Sequence, residues 1–589
     1  MPGAHAKSSK FSRSSRPARP SRPSGECEPS RPARFAAIRV RRFPFLAVLR
    51  LGGPSEIWFK PALSVVAAVA PPNFALLALG RLDLAMYTMA GGLCALYAHS
   101  RPYAARARVL ALVAAGMLAG LAVALVAASL TSDALVLVLV GALLAAVQKT
   151  VCDATRVGPP GHVILTFISS AALFAPQSLG QVPGHLGLTA LAGAWAWIVG
   201  MAPGLLRPHG PERRTTAQAL RAAAAYAATG GTGEGAGRAR AAAAAAVQAA
   251  WQSLLPPTRP TLTRLALRRL LVRAEVALAA PADTDPDRLR TWALALRGNG
   301  PVPEAEGLGE AAEELLGADI EAKAAHDAPA RPLREGLGHL APLALRTALG
   351  CALAGAAALA LGVGRPYWAL VTAASLYQVN LTLTWSRAVQ RVVGNVLGVL
   401  LFAAVAPLAH LAPVVLVLCC LAFNFTAEAF IGRNYWLGTV CVTPMALLVT
   451  EFARLQHPGE LMADRMLDTL VGALVGFLAA VAVTNRRAGD RVERALGTVE
   501  RAREHAARTV AAERPVPGAL ESARRALAAA VVELRAAADA AAGEWWQRAL
   551  PEERVLEAER AAHRTLAATV RRQVSHTSRT PHTSEDTRA

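Results

Sequence analysis

Two long apolar blocks, residues 57–206 and 343–484, dominate the chain, and a polar, helix-prone region separates them. A helix needs about 20 apolar residues to cross the ~30 Å hydrocarbon core of a bilayer. Inside that core, only helices or closed barrels satisfy the backbone. Stretches of this kind fall at 57–80, 84–99, 109–129, 134–148, 162–177 and 186–206. They recur at 343–362, 366–384, 392–409, 413–431, 435–452 and 466–484. The expected fold is all-α: a polytopic helical membrane protein with about twelve transmembrane helices in two six-helix blocks, plus helical cytoplasmic regions.

The same reading divides the chain. Residues 1–50 are expected to form a disordered basic tail and 51–207 the first membrane block. Residues 208–341 then form a helical cytoplasmic domain, 342–485 the second membrane block, 486–574 a helical C-terminal domain and 575–589 a disordered tail. The 589 residues are 53% hydrophobic and only 17% charged, with a net charge of +21. Strong basicity often signals nucleic acid. Here the arginines occupy tails and the loops between apolar stretches, so membrane topology accounts for them and no nucleic-acid partner is expected. The cysteines fall mostly inside apolar stretches without a C-x-x-C pair, which reads as small buried hydrophobes.

Loop charges set the orientation. Arg101, Arg106 and Arg108, then Lys149 and Arg156, then Arg207, Arg213 and Arg214 mark alternate loops of the first block. Arg387 and Arg391, Arg433, and Arg486, Arg487 and Arg491 mark alternate loops of the second. Cytoplasmic loops carry the excess of basic residues, so both termini and the central region are assigned to the cytoplasm; the heavy Ala, Gly, Pro and Arg usage suggests a GC-rich bacterial genome and so a bacterial inner membrane. The third stretch of each block carries a small-residue seam, Gly116-x-x-x-Gly120 and Gly394-x-x-x-Gly398, and the last adds Gly472-x-x-x-Gly476. Such seams let helices approach closely, and their repetition at the same ordinal position favours a duplicated unit.

Polar groups inside a membrane are costly, so each is a functional candidate. Pro71-Pro72-Asn73 interrupts the first stretch, as either a simple kink or a site-framing break. In the eighth, Thr372, Ser375, Gln378 and Thr382 recur at helical spacing beside Tyr367 and Trp368. That face suits either hydrogen bonds between helices or a carboxylate ligand with ring stacking. Arg387 and Arg391 lie four apart, on one helix face. They serve either topology or anion capture at the inner mouth. Asn424 and Glu428 share a face near Arg433; Glu428 is either half of an interfacial ion pair or a proton-coupling carboxylate. Asp468, with Arg465 preceding it, reads as structural. No phosphate-binding loop, G-x-S-x-G or H-E-x-x-H motif occurs, so neither an enzyme nor a cofactor is expected, and active transport would draw on an ion gradient or a partner.

The order and spacing of these second-block residues resemble the fusaric-acid-resistance-like (FUSC) and aromatic acid exporter superfamily. The matching segments are Tyr367-Trp368-Ala-Leu-Val-Thr372 and Arg387-Ala-Val-Gln390-Arg391-Val-Val-Gly394-Asn395-Val-Leu-Gly398. They continue with Asn434-Tyr435-Trp436-Leu-Gly438, Val442-Thr443-Pro444 and Arg465-Met-Leu-Asp468-Thr469-Leu-Val-Gly472. Asn395 stands where the family pattern has threonine. The first block is similar more loosely, through Gly158-Pro159-Pro160-Gly161. The resemblance implies an inner-membrane exporter of small organic anions, aromatic carboxylic acids among them, driven by the proton gradient. In that reading Arg387 and Arg391 attract the anion, Tyr367, Trp368, Thr372 and Gln378 line its path, and Glu428 carries the coupled proton. Similarity to aluminium-activated malate transporters of plants implies a homodimer and, as the alternative, a passive anion channel. A membrane-anchored scaffold whose cytoplasmic helices recruit partners is the third class.

Overall fold

The computed structural model describes residues 48–53, 57–232, 235–255, 261–305, 315, 333–453, 455–483, 488–544 and 551–577. These lie in a unit spanning Phe43–Ala589. The basic tail up to residue 47, residues 306–332 apart from Leu315, and the end of the chain from 578 lie outside the described residues, so the expectations placed there have no structural counterpart.

The first block consists of α1 (Phe59–Ala78), α2 (Ala85–Gly92, extended by a 3-10 turn at Leu93–Leu96), α3 (Tyr103–Leu130), α4 (Ala134–Ala154), α5 (Val163–Leu173) and α6 (Val182–Met201). A helical region follows as α7 (Gly210–Ala227), α8 (Ala236–Leu254), α9 (Leu262–Ala279) and α10 (Pro286–Ala295). The second block is α11 (Leu333–Ala360), α12 (Pro366–Leu376), α13 (Leu381–Ala409), α14 (Pro413–Ile431), α15 (Tyr435–Glu451) and α16 (Pro458–Ala482). The chain closes with α17 (Ala488–Ala511), α18 (Ala519–Ala542) and α19 (Glu552–Thr577).

Among the described residues, eight helices are long and apolar enough to cross a membrane, so the expected count of twelve is not reached there. The shorter ones are the second and fifth of each block: α2, α5, α12 and α15. At 1.5 Å per residue the 11-residue α5 and α12 reach about 16 Å, half of a hydrocarbon core. Local chemistry sets these lengths. Pro366 starts α12, Tyr377 turns to extended backbone after its last residue, and the Asn380 side chain accepts from Leu383 N at 2.9 Å to cap α13. The expected single stretch 366–384 is therefore two helices with a break at 377–380. Gln378 and Thr382 consequently do not share a helical face with Thr372 and Ser375.

The two blocks repeat one packing scheme. In each, the third helix packs on the fifth and sixth, and the second on the sixth. Between blocks the packing is reciprocal, with α11 on α4 and α14 on α1. The glycine seams show why. A Cβ on Gly116 or Gly120 would meet Leu165 or Ser169 of α5, and a Cβ on Gly394 or Gly398 would meet Thr439 or Thr443 of α15. Hydrogen bonds lock both seams: Gln148 Nε2 donates to Ser169 at 3.0 Å in one, and Thr443 donates to Asn395 Oδ1 at 2.7 Å in the other. Pro71 and Pro72 remain inside α1, and Asn73 accepts from Thr88 of α2 at 3.0 Å, so that cluster pins two helices.

The helical regions outside the blocks lie on one side, termed the near side, because α8 packs on α18 and α9 on α19. Their joint is a buried charge network in which Glu275 accepts from Trp251 at 2.6 Å and pairs with Arg524 at 2.8 Å. Arg264 of α9 pairs with Glu212 of α7 at 3.4 Å.

Candidate functional site

A cavity of about 2120 Å³ lies between the two blocks. The short helices supply much of its wall, each through residues three or four apart: Met86, Met89 and Leu93; Ile164, Phe167 and Ala171; Tyr367, Val371 and Ser375; Tyr435, Thr439, Val442 and Ala446. That spacing is one face of a helix. The polar lining comes from helix ends and from the long helices. Arg101, Lys149, Arg156, Arg346 and Arg491 stand at the near side, and Asp83, Gln177, His185, Arg365, Glu460 and Asp464 at the far side. Four of these charges are already paired: Lys149 with Asp153 at 2.7 Å, Arg365 with Asp464 at 2.8 Å, and Asp83 with Arg81 at 3.0 Å.

Arg387 and Arg391 are not in a loop. They occupy the second and third turns of α13 and point into the cavity. Arg387 lies over the Tyr435 ring, 3.8 Å from its centroid, and Arg391 Nη1 donates to Tyr435 Oη at 3.1 Å. Arg391 is 5% exposed, and its Nε has no partner. Arg465 of α16 joins them on the cavity wall. It is 1% exposed, lies over the Trp368 ring at 5.0 Å, and its Nε and Nη1 have no partner. Burying an unpaired cation is expensive. Unsatisfied guanidinium donors facing a cavity therefore form a site that an anion would complete.

Five of the candidates read from the sequence line this cavity: Arg387, Arg391, Tyr367, Gln378 and Glu428. Trp368 and Thr372 lie behind the wall. Trp368 is fully buried with the guanidiniums of Arg365 and Arg465 over its ring, and Thr372 packs against Gly472 of α16. The alternative of a Glu428–Arg433 ion pair is not what forms. Arg433 lies over Phe430, and its carbonyl accepts from Gly52. Glu428 instead faces the cavity beside Asn424. Arg465, read from the sequence only as the neighbour of a structural Asp468, proves to line the cavity. Its place within an apolar helix was the signal.

The far end carries a polar group contributed by the first block. His185 stacks on Tyr87 with centroids 3.9 Å apart, and Gln177 bridges them, donating to Tyr87 Oη at 2.6 Å and facing His185 Nδ1 at 3.1 Å.

Two packed six-helix blocks around a charged internal cavity define a multi-pass helical membrane protein. Residues 353–479, in its second block, match the family model described as fusaric acid resistance protein-like. The chain is also similar to the uncharacterized membrane protein YvaC of Bacillus subtilis (strain 168), at 32% identity over 142 residues. That match covers 23% of this chain and 22% of the relative, so the chain spans under a quarter of the protein it resembles. No solved structure matches.

Proposed function

We propose that the chain exports small organic anions, aromatic carboxylates among them, from the cytoplasm of a bacterium through the cavity between its blocks. One observation carries this reading: the buried guanidiniums of Arg391 and Arg465 face a cavity of about 2120 Å³ with donors left unsatisfied. The near side, with Arg101, Arg156 and Arg433 in its loops, is the cytoplasmic side by the positive-inside rule, which puts the described helical regions there. Cations at the near mouth attract the anion. Arg387, Arg391 and Tyr435 receive it, and the apolar stripes of α5 and α15 accommodate a ring. Glu428, the carboxylate facing the same cavity, carries the coupled proton.

A passive anion conduit is the second reading, favoured because the lining runs from near-side loops to far-side loops. The test is efflux of radiolabelled aromatic acids from cells expressing the chain, with and without a protonophore, beside Arg391→Ala and Glu428→Gln. Protonophore-sensitive efflux lost in both variants supports the exporter. Efflux that follows membrane potential alone and survives Glu428→Gln supports the conduit. No efflux of any acid, with the protein present in the membrane, removes both.

A further inference from the structure

Arg106 stands at the near end of the first block, outside the lining of the cavity between the blocks. It lies one turn into α3, is 4% exposed, and its Nε has no partner. Its Nη2 lies 3.1 Å from His99 Nδ1. A guanidinium only donates, so that ring nitrogen accepts and the hydrogen sits on Nε2, which is buried without a partner. Arg214 of α7 donates from Nη2 to the His99 carbonyl at 3.4 Å and leaves Nη1 unpartnered. Lys60, at the start of α1, completes the group: Arg214, Arg207 and Arg106 all stand near enough to repel its ammonium. Four cations thus converge from three helices and one loop. Among the described residues none of the four forms an ion pair, and Glu212, two residues before Arg214, is taken by Arg264 at 3.4 Å. Membrane topology alone would leave such charges in water, whereas a desolvated, unpaired guanidinium is costly. Donors gathered in this way without a counter-charge suit a tetrahedral oxyanion, whose several oxygens can accept from all of them.

We propose that Lys60, Arg106, Arg214 and His99 Nε2 form a phosphate-binding site on the first block, occupied by the headgroup of an anionic membrane lipid. Two observations favour a lipid as the source of the phosphate. The site lies at the near face, where α1 and α3 begin and α6 ends, and basic pockets between membrane helices at such a face hold anionic headgroups. Arg106 is held against α6 there: a Cβ on Gly200 would come within 3.6 Å of its Nη2, and Trp197 Nε1 fastens the two helices by donating to the Ala107 carbonyl at 3.0 Å. The surfaces beside the site are apolar and exposed, with Phe59 and Leu63 on α1, Ile198 on α6, and Leu205 and Leu206 just after it. Acyl chains can lie on them while the phosphate reaches inward. The bound phosphate would offset the repulsion among cations that α1, α3 and α7 bring together, so it would also fasten the first block to the helical region that follows. The site is independent of the transport reading, since Lys60, Arg106 and Arg214 do not line the cavity.

The experiment uses the full chain in detergent, titrated separately with short-chain phosphatidylglycerol, short-chain phosphatidylcholine and glycerol 3-phosphate, with bound molecules counted by native mass spectrometry. Phosphatidylglycerol is expected to bind saturably and at least about tenfold tighter than phosphatidylcholine, with glycerol 3-phosphate weaker than either lipid. Arg106→Gln is expected to weaken phosphatidylglycerol by about tenfold or more, and Lys60→Gln by about fivefold. Arg108→Gln removes the same charge from an exposed position of α3 and is expected to change binding by less than about twofold. Lys60→Gln decides the matter where Arg106→Gln fails to fold, because Lys60 is half-buried and unpaired among the described residues. Glycerol 3-phosphate binding as tightly as the lipid, with the same losses in both variants, would keep the phosphate site and overturn its lipid occupant. The whole proposal is overturned if phosphatidylglycerol binds no tighter than phosphatidylcholine and glycerol 3-phosphate does not bind. It is equally overturned if Arg108→Gln weakens binding as much as Lys60→Gln, the mark of diffuse attraction to a basic surface.

Discussion

The third helices of the two blocks share a scaffold and differ in chemistry. Three and seven residues before its first seam glycine, α13 carries Arg391 and Arg387; at the same offsets from Gly116, α3 carries Val113 and Val109. Both valines are buried in the apolar core, as a membrane helix ordinarily requires. The scaffold works with valine, so packing does not demand arginine. The second block bears the desolvation of two guanidiniums that the first block shows to be dispensable for the fold. A cost of that kind makes the two arginines candidates for a functional role.

The largest expected effect comes from removing that difference. Arg391→Ala should lower anion flux by about 30-fold to 1000-fold, corresponding to roughly 2–4 kcal/mol for a buried charged hydrogen-bond partner. Val113→Ala should leave flux within about twofold and cost roughly 1 kcal/mol of stability. Flux in vesicles and thermal unfolding in detergent separate the two; equal flux losses would erase the asymmetry between the blocks.

The seams come next, and here the blocks should differ in degree. A Cβ on Gly398 would stand 2.6 Å from Thr443 Cβ and 2.9 Å from a backbone carbonyl, neither of which can swing away. On Gly120 it would meet the amide end of Gln148 at 2.5 Å, a flexible group. Gly398→Ala should therefore cost about 1–3 kcal/mol and Gly120→Ala less, read as the shift in unfolding temperature.

Acid should separate the helical regions that follow the two blocks. His563 of α19 is half-buried with Arg240 of α8 nearby, and desolvation first, then that cation, lowers its pKa to about 4. The freed side chain titrates near its ordinary value, about 6.5. Above that pH both states are neutral and docking is at full strength. As pH falls toward 4, only the undocked state takes the proton, so stability drops, by an amount on the order of 2 kcal/mol. Unfolding followed from pH 7 to pH 4 should show the decline, and His563→Gln should flatten it. The smallest effect is expected at the α12–α13 break, where Asn380→Ala removes a cap worth about 1 kcal/mol. It has no counterpart in the first block.

Much of this was legible beforehand. The apolar blocks, the seams and the second-block motif follow from composition and spacing because each rests on local residue type. The short helices were not legible. Hydropathy runs unbroken from α12 through Tyr377 into α13, and only the Asn380 cap marks the boundary. The reach of Arg387 and Arg391 into the cavity was likewise hidden, because a count of basic residues per loop cannot tell a loop from the opening turns of a long helix. Arg465 shows the same limit from the opposite side of the membrane. Burial of Trp368 and Thr372 depends on which face α16 covers, a tertiary fact set by Gly472.

One contact ties the end of the fold to its most charged helix. The carbonyl of Gly543, just after α18, accepts from both the backbone nitrogen and the hydroxyl of Thr382, at 3.1 and 2.9 Å, in the first turn of α13. The C-terminal bundle is thereby fastened to the arginine helix five residues before Arg387, so the bundle and the cavity wall share one anchor point.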